Sequence, residues 1–376
     1  MLIITALLSV ASAEDPHQQD AASQETEPSH EETLTPASPD DGVGIINGAD
    51  ATEDDYPMTG GILITGVINL LGSTGPIDSF VCSSTLIAPD VVLTAAHCID
   101  DTALTFGLGS VEDKVLYWSR QADLTDWDGS TQGPDLPEDA IEVIEAVMHP
   151  SFSLDTLQLG LAVNDDIGLL FLSEPVTDVP HAYLPTAEEA AQIEEGIDVD
   201  VVGWGLQEPG GGFFEPNAPG SFAVKQMGTS FISEVADAEF KVGEVVTDVR
   251  KCNGDSGGPT FMVVDTDSSE KVRLIGVTSH SYDESQCEQT GGVDTRVDYF
   301  LDWINDEMVK GCESGVRVSC DVEGILPPPA SSAVADRDVE GEGRGGIAQG
   351  CSAAPAAPGA LVALLAGLLG LARRRD

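Results

Sequence analysis

Cations are scarce in this chain: 16 Lys and Arg stand against 65 Asp and Glu over 376 residues, a formal net charge of -49. A surface of that sign repels a phosphate backbone, which excludes nucleic acid as a partner. It also keeps an exported protein in solution. Zinc-type spacings are missing as well: the seven cysteines include no closely spaced pair, so disulfides plus one spare thiol are expected. Long apolar runs are absent. The run Gly359–Ala372 has about 14 residues, against the roughly 20 that a membrane helix needs. What remains is an apolar share of 41%, enough for one sizeable core.

Leu2–Val10 is a short apolar run followed by Ala11-Ser12-Ala13. It reads as a secretory signal peptide over 1–13, although no Lys or Arg precedes the run. Residues 14–44 are Glu, Asp, Gln, Ser and Pro with almost nothing apolar, and such a segment cannot offset its ordering entropy. From Gly61 onward short apolar runs are split by Gly, Pro, Asp and Ser, as in Ile62-Leu63-Ile64 and Val91-Val92-Leu93. That spacing predicts an all-β protein. Val297, Phe300, Leu301 and Ile304 fall at helical spacing, predicting one short C-terminal helix over Val297–Met308. The acids between Asp123 and Asp139 do not match the spacing of a calcium loop and read as a solvated surface loop.

The chemistry centres on Gly254-Asp255-Ser256-Gly257-Gly258-Pro259. Glycines around a serine let backbone approach a substrate carbonyl closely, with the N–H groups of Gly254 and Ser256 available to its oxygen. A serine hydroxyl is a weak nucleophile and needs a base and a group that orients the base. His97, in Thr94-Ala95-Ala96-His97-Cys98, and Asp166, in Asp166-Ile167-Gly168-Leu169-Leu170, supply them upstream. His17, His30, His149 and His181 lack such a setting. The order His, Asp, Ser is one of the known triad orders.

With Ile45-Ile46-Asn47-Gly48, Tyr56-Pro57, Gly203-Trp204-Gly205 and Thr295-Arg296-Val297…Trp303-Ile304, these motifs resemble those of the trypsin/chymotrypsin-type secreted serine endopeptidases. The likeness runs from about Ile45 to Lys310. It implies two six-stranded antiparallel β-barrels with the active site between them, a triad of His97, Asp166 and Ser256, and no cofactor or metal. It also implies disulfides Cys82–Cys98 and Cys252–Cys287; Cys312 and Cys320, near neighbours, are expected to pair. Residues 14–44 become a propeptide, removed by an activating protease that cuts before Ile45. The new α-amino group would then pair with Asp255. Gly44 precedes that bond, so a trypsin-like activator would not cut there. Ser279 matches the serine that helps hold the aspartate.

Counting back from Ser256 puts Arg250 at the floor of the primary pocket, where trypsin has an aspartate, with Lys251 beside it. His280, Ser281, Gly292 and Asp294 complete the expected pocket. A cationic floor excludes substrate Lys and Arg. It favours Asp or Glu, or small apolar residues where Asp294 reaches and neutralises Arg250. Residues 311–350 read as a linker, with Pro327-Pro328-Pro329. Gly350-Cys351, the weak apolar run and Arg373-Arg374-Arg375 over 351–376 resemble a MYXO-CTERM type of sorting tail, with Cys351 the anchoring residue. The expected protein is thus an exported, surface-tethered endopeptidase acting on proteins or peptides. A catalytically silent protease fold serving as a surface binding module is the alternative.

Overall fold

The computed structural model describes residues 44–320, apart from 106, 128, 130–132, 207–222, 269 and 284–288. The expected signal peptide, the propeptide up to residue 43, Cys287 and the tail with Cys351 lie outside the described residues.

The short apolar runs form strands. In the first barrel these are β2 (Thr59–Leu70), β3 (Ser73–Ala88), β4 (Val91–Thr94), β5 (Gly109–Ser119), β6 (Ile141–Met148) and β7 (Gly168–Leu172), preceded in the chain by the short β1 (Ala49–Asp50). They close in the order β2-β3-β4-β7-β6-β5, and every pairing is antiparallel. All residues of β4 and β7 are buried, as continuous apolar runs covered on both faces should be.

A second barrel contains β8 (Asp198–Gly203), β9 (Gln226–Val235), β10 (Glu239–Val242), β11 (Pro259–Val263), β12 (Val272–Ser281) and β13 (Gly292–Arg296). Its order is β9-β10-β13-β12-β11-β8, closed by the β8–β9 pairing, with β1 added on β9. The all-β expectation and the two six-stranded barrels hold. One contiguous core joins the barrels: Leu93, Leu169 and Phe171 of the first pack in the same cluster as Val202, Phe261 and Val277 of the second. Burying side chains of this size stabilises by roughly 1.5–3 kcal/mol each, so the interface carrying the site is rigid.

The C-terminal helix starts later and runs further than its apolar spacing predicted. A 3-10 turn, Asp298–Phe300, leads into the helix Leu301–Ser314. Ile304 and Met308, one turn apart, bury the same face. Gly315 ends it in the left-handed region (φ 78°) and donates its N–H to the Cys312 carbonyl. Residues 311–320, expected as the start of a linker, are instead packed on the first barrel. Asp90, in the turn between β3 and β4, accepts from the Arg317 guanidinium and from the N–H groups of Val318 and Ser319. Disulfides join Cys82 to Cys98 and Cys312 to Cys320. Cys252 is also disulfide-bonded. In the 123–139 segment, Asp123 accepts from Thr125 and Asp139 from Ser119 and Arg120, so these two acids serve local backbone.

Candidate active site

His97 stands in the 3-10 turn Ala96–Cys98 directly after β4, and the Cys82–Cys98 disulfide ties that turn back to β3. Asp166 is fully buried just ahead of β7. Its Oδ1 accepts the His97 backbone N–H at 2.9 Å, and its Oδ2 accepts from His97 Nδ1 at 2.7 Å. Oδ2 also accepts the Ser279 hydroxyl at 2.6 Å, and the Asp166 carbonyl accepts the Thr295 hydroxyl at 3.0 Å. The first barrel thus supplies the acid–imidazole pair, while β12 and β13 of the second clamp it. Ser279 was expected from the sequence. Thr295 was not singled out for this role, although it stands in the quoted Thr295-Arg296-Val297 motif.

Burial works against a charged His97, but the charge and hydrogen bond of Asp166 outweigh it and raise the pKa. Burial likewise opposes the Asp166 carboxylate, and the His97 charge and its hydrogen bonds outweigh that, holding the carboxyl below its usual range. Nδ1–H donating to the carboxylate leaves Nε2, which lies 3.8 Å from Cys98 Sγ, as the unprotonated nitrogen of the neutral ring.

Ser256 lines a cavity of about 70 Å³ whose other walls are residues 251–253 and 278–281, Gly291 and Gly292 of the second barrel. Its loop is fixed by its own backbone: the Ser256 carbonyl accepts from Ser83 N–H, and Gly257 N–H donates to Thr278. Gly257 has φ 75°, and a Cβ there would lie 2.1 Å from the Thr94 hydroxyl, so only glycine fits. The Gly254 carbonyl is held by the Ser83 hydroxyl. The N–H groups of Gly254 and Ser256 have no acceptor among the described residues. The Ser256 hydroxyl is not hydrogen-bonded to the imidazole here; such bonds tighten as substrate binds. The loop thus presents a serine hydroxyl and two N–H groups without acceptors among the described residues, and His97–Asp166 is an acid–imidazole pair of the first barrel.

Asp255 is fully buried and takes the N–H groups of Gly205 and Cys252 on its two oxygens. Burial pushes its carboxyl up to about 7, against those two bonds and the charge of Lys251. Ile45, still joined to Gly44, has its side chain buried in the second barrel's cluster with Val201 and Phe240. Ile46 packs with Leu206 and Cys252. No bond between Ile45 and Asp255 is formed in this uncut chain.

The pocket departs from the count made along the sequence. Arg250 does not line the cavity; Lys251 does, together with Ser279, His280, Ser281 and Gly292. Arg250 is buried elsewhere (1% exposed). Its backbone forms an isolated bridge with Ile46, and its guanidinium donates to the Val246 carbonyl. It therefore neither faces the cavity nor turns to solvent. Asp294 does not reach Arg250. It accepts from Lys251 Nζ at 2.7 Å and from the Thr260 hydroxyl, both on Oδ2. Burial draws the Lys251 ammonium below its usual range, opposed by the charge and hydrogen bond of Asp294. His280 bridges Ser279 Oγ at 3.0 Å and the Gly160 carbonyl at 3.1 Å, tying the 157–164 segment to the pocket rim. A sequence can say that one of two adjacent cations faces a cavity, but not which.

A family model described as Trypsin matches residues 45–304. The vitellin-degrading protease of Bombyx mori is 24% identical over 283 residues, covering 73% of this chain and 89% of that protein. Brachyurin of Leptuca pugilator is 28% identical over 276 residues, covering 70% and 98%. The CLIP domain-containing serine protease B14 of Anopheles gambiae is 26% identical, and the match spans 64% of its length. Among solved structures, HL collagenase covers 70% of this chain and 98% of its own at 21% identity, with a TM-score of 0.48.

Proposed function

Because the chain belongs to the trypsin family of serine endopeptidases, we propose that His97, Asp166 and Ser256 are its catalytic triad and that it hydrolyses peptide bonds through an acyl-enzyme. The observation that carries this is the 2.7 Å bond from His97 Nδ1 to a buried, doubly clamped Asp166. With Nδ1 committed to Asp166, Nε2 is the nitrogen left to take a nucleophile's proton. His97 takes that proton as Ser256 attacks the carbonyl carbon, then gives it to the leaving amine; water repeats the sequence on the acyl-enzyme. Asp166 fixes the tautomer and stabilises the imidazolium. The N–H groups of Gly254 and Ser256 hold the oxyanion, a contribution of about 3–4 kcal/mol per donor in a convergent protease.

The precursor is released by a cut before Ile45. The new α-ammonium supplies the counter-charge that the buried Asp255 carboxyl lacks, and Asp255 adjoins Ser256. The substrates are proteins or peptides, and cleavage after Lys or Arg is disfavoured because, among the described residues, Lys251 and no acid line the cavity. The signal-like segment 1–13 and the tail with Cys351 make it an exported protein held at the cell surface. No helix among the described residues is long and apolar enough to cross a membrane, so the tether is assigned to the tail.

Covalent labelling by an organophosphorus serine-hydrolase probe tests the triad. The chain beginning at Ile45 labels at Ser256, and Ser256→Ala abolishes labelling and hydrolysis together. A folded, processed chain that does not label would be a silent binding module instead.

A further inference from the structure

Glu239 is a buried carboxyl to which the triad mechanism above gives no part. It stands on β10 with 1% of its surface exposed. Its partners lie in the first barrel, in the segment 157–164 that runs into Asp166. Oε2 accepts the Ala162 N–H at 2.7 Å, and Oε1 accepts from Asn164 Nδ2 at 2.9 Å. The Asn164 amide is fixed in that orientation. Its oxygen accepts the Gln158 N–H at 2.8 Å, and its nitrogen also donates to the Gln158 carbonyl at 3.0 Å. Both Glu239 oxygens therefore face donors, and a proton on either would be set against one of them. The site is built for the carboxylate.

What this clamp holds is the approach to the triad aspartate. Asp165, between Asn164 and Asp166, has φ 53°, in the left-handed region that residues with a side chain seldom adopt. Such a conformation persists only where the surroundings dictate it. On its far side, Ser279 holds the Asp166 carboxylate and Thr295 the Asp166 carbonyl. On its near side, Gly160 is bonded to the Tyr282 carbonyl and to His280, and Glu239 holds the two residues that lead into the turn. Glu239 is paired with Thr295 across the β10–β13 ladder. Neighbouring strands thus grip the backbone before and after Asp165. Releasing Ala162 and Asn164 lets Asp165 relax, which swings the Asp166 carboxylate relative to the imidazole.

We propose that Glu239 is a positioning residue for the triad: its carboxylate, acting through Ala162 and Asn164, keeps Asp165 in its turn and so sets Asp166 against His97. This rests on the triad proposed above. Burial pushes the Glu239 carboxyl up to about 7 against its bonds to Ala162 and Asn164, and the charge of Asp166 acts in the same direction as burial. Other charged groups on the surrounding elements have partners of their own. Glu234 of β9 accepts from the Tyr282 hydroxyl, Lys241 pairs with Glu244, and Asp294 and Arg296 of β13 pair with Lys251 and Asp298. Asp165 lies 3.7 Å from His149. The clamp is therefore complete above about pH 7 and loosens as the carboxyl gains its proton below that value.

The experiment compares peptide hydrolysis by the full chain matured at Ile45 with that of its Glu239→Gln variant across pH. An amide of the same shape has one accepting and one donating end, as the protonated carboxyl has. Above about pH 7 the variant is expected to lose kcat by about 10- to 100-fold, the scale of a misplacement of up to about 1 Å, with KM little changed. As the pH falls through about 7 the ratio of wild-type to variant kcat closes toward one, because protonated wild type and amide are alike. His97 and His280 titrate in both proteins and cancel from the ratio. A group that only supported the fold would give a ratio independent of pH. That result, or wild-type kcat in the variant, overturns the assignment. Asn164→Ala deletes the donor on the other side and serves should Glu239→Gln not fold. It lowers kcat at little-changed KM, and an unaltered kcat overturns the assignment as well. Probe labelling of wild-type Ser256 separates the two levels. Labelling with a pH-independent ratio sinks only the role of Glu239, and absence of labelling sinks the triad on which it rests.

Discussion

The two barrels share a strand number and a closure but bury different things. Among the described residues of the first, Asp90 and Asp166 are the only buried ionisable side chains, in an interior of Val, Leu, Ile and Phe. The second encloses Lys225, Glu239, Lys241, Arg250, Lys251, Asp255, Arg273 and Asp294. An apolar interior is stiff and insensitive to pH. Buried charges are held by specific partners and lose stability when a partner is removed or titrated. The first barrel thus holds the His97–Asp166 pair in an apolar frame, and the second, which carries the Ser256 loop, Asp255 and the cavity, is the half that can be tuned.

The largest test of that contrast is Asp166→Asn. The amide fits the same space but reverses the preferred imidazole tautomer, so turnover falls about 10,000-fold while the melting temperature moves little. A variant that unfolds instead would make Asp166 a structural group and break the comparison. Arg273→Met tests the second barrel. Arg273 makes a two-pronged bond to Glu189, at 2.9 and 2.7 Å, with both side chains almost fully buried. Leaving Glu189 unpaired costs roughly 3–5 kcal/mol, readable by urea denaturation. A cost under about 1 kcal/mol would mean that the second barrel's charges are no more structural than surface pairs.

The smallest effect expected is in pH dependence. Burial, against the N–H bonds of Ala162 and Asn164, pushes Glu239 up to about 7, the same value reached by Asp255 in the uncut chain. A carboxyl whose folded pKa lies above its unfolded value gives stability that is full below the unfolded value and lost as pH rises through the folded one. The precursor should therefore melt progressively lower between about pH 4 and pH 7. After the cut before Ile45, the α-ammonium lowers the Asp255 pKa and removes its share of that slope. Melting curves of precursor and processed chain that are parallel across this window would speak against the Ile45–Asp255 pair.

How much was readable in advance follows from how local each feature is. His97, Ser256 and the two β-rich halves lie in contiguous motifs, where a few neighbours decide the conformation. Gly257 is half an instance: its positive φ belongs to the tight Gly254–Gly258 loop, but the space a side chain would need is closed by Thr94 and Ser83, more than 160 residues upstream. The pocket cation was misplaced by one residue. Which of Arg250 and Lys251 faces inward is set by the bridge to Ile46, some 200 residues away in sequence, and by Asp294 on β13. The extent of the C-terminal helix was missed for a similar reason. Residues 311–320 have a linker-like composition, and the carboxylate that fixes Arg317, Asp90, lies far upstream. Cys312 and Cys320 carried the one local signal that this segment is ordered.

That clamp has a mechanical meaning. A pull on the chain beyond Cys320 first meets the Cys312–Cys320 staple and then the Arg317, Val318 and Ser319 bonds to Asp90. The load passes into the turn between β3 and β4, next to the fully buried β4. Cys312 lies in the last turn of the helix Leu301–Ser314, so the staple passes part of the load to that turn as well. Tension beyond Cys320 would thus reach the first barrel through Asp90.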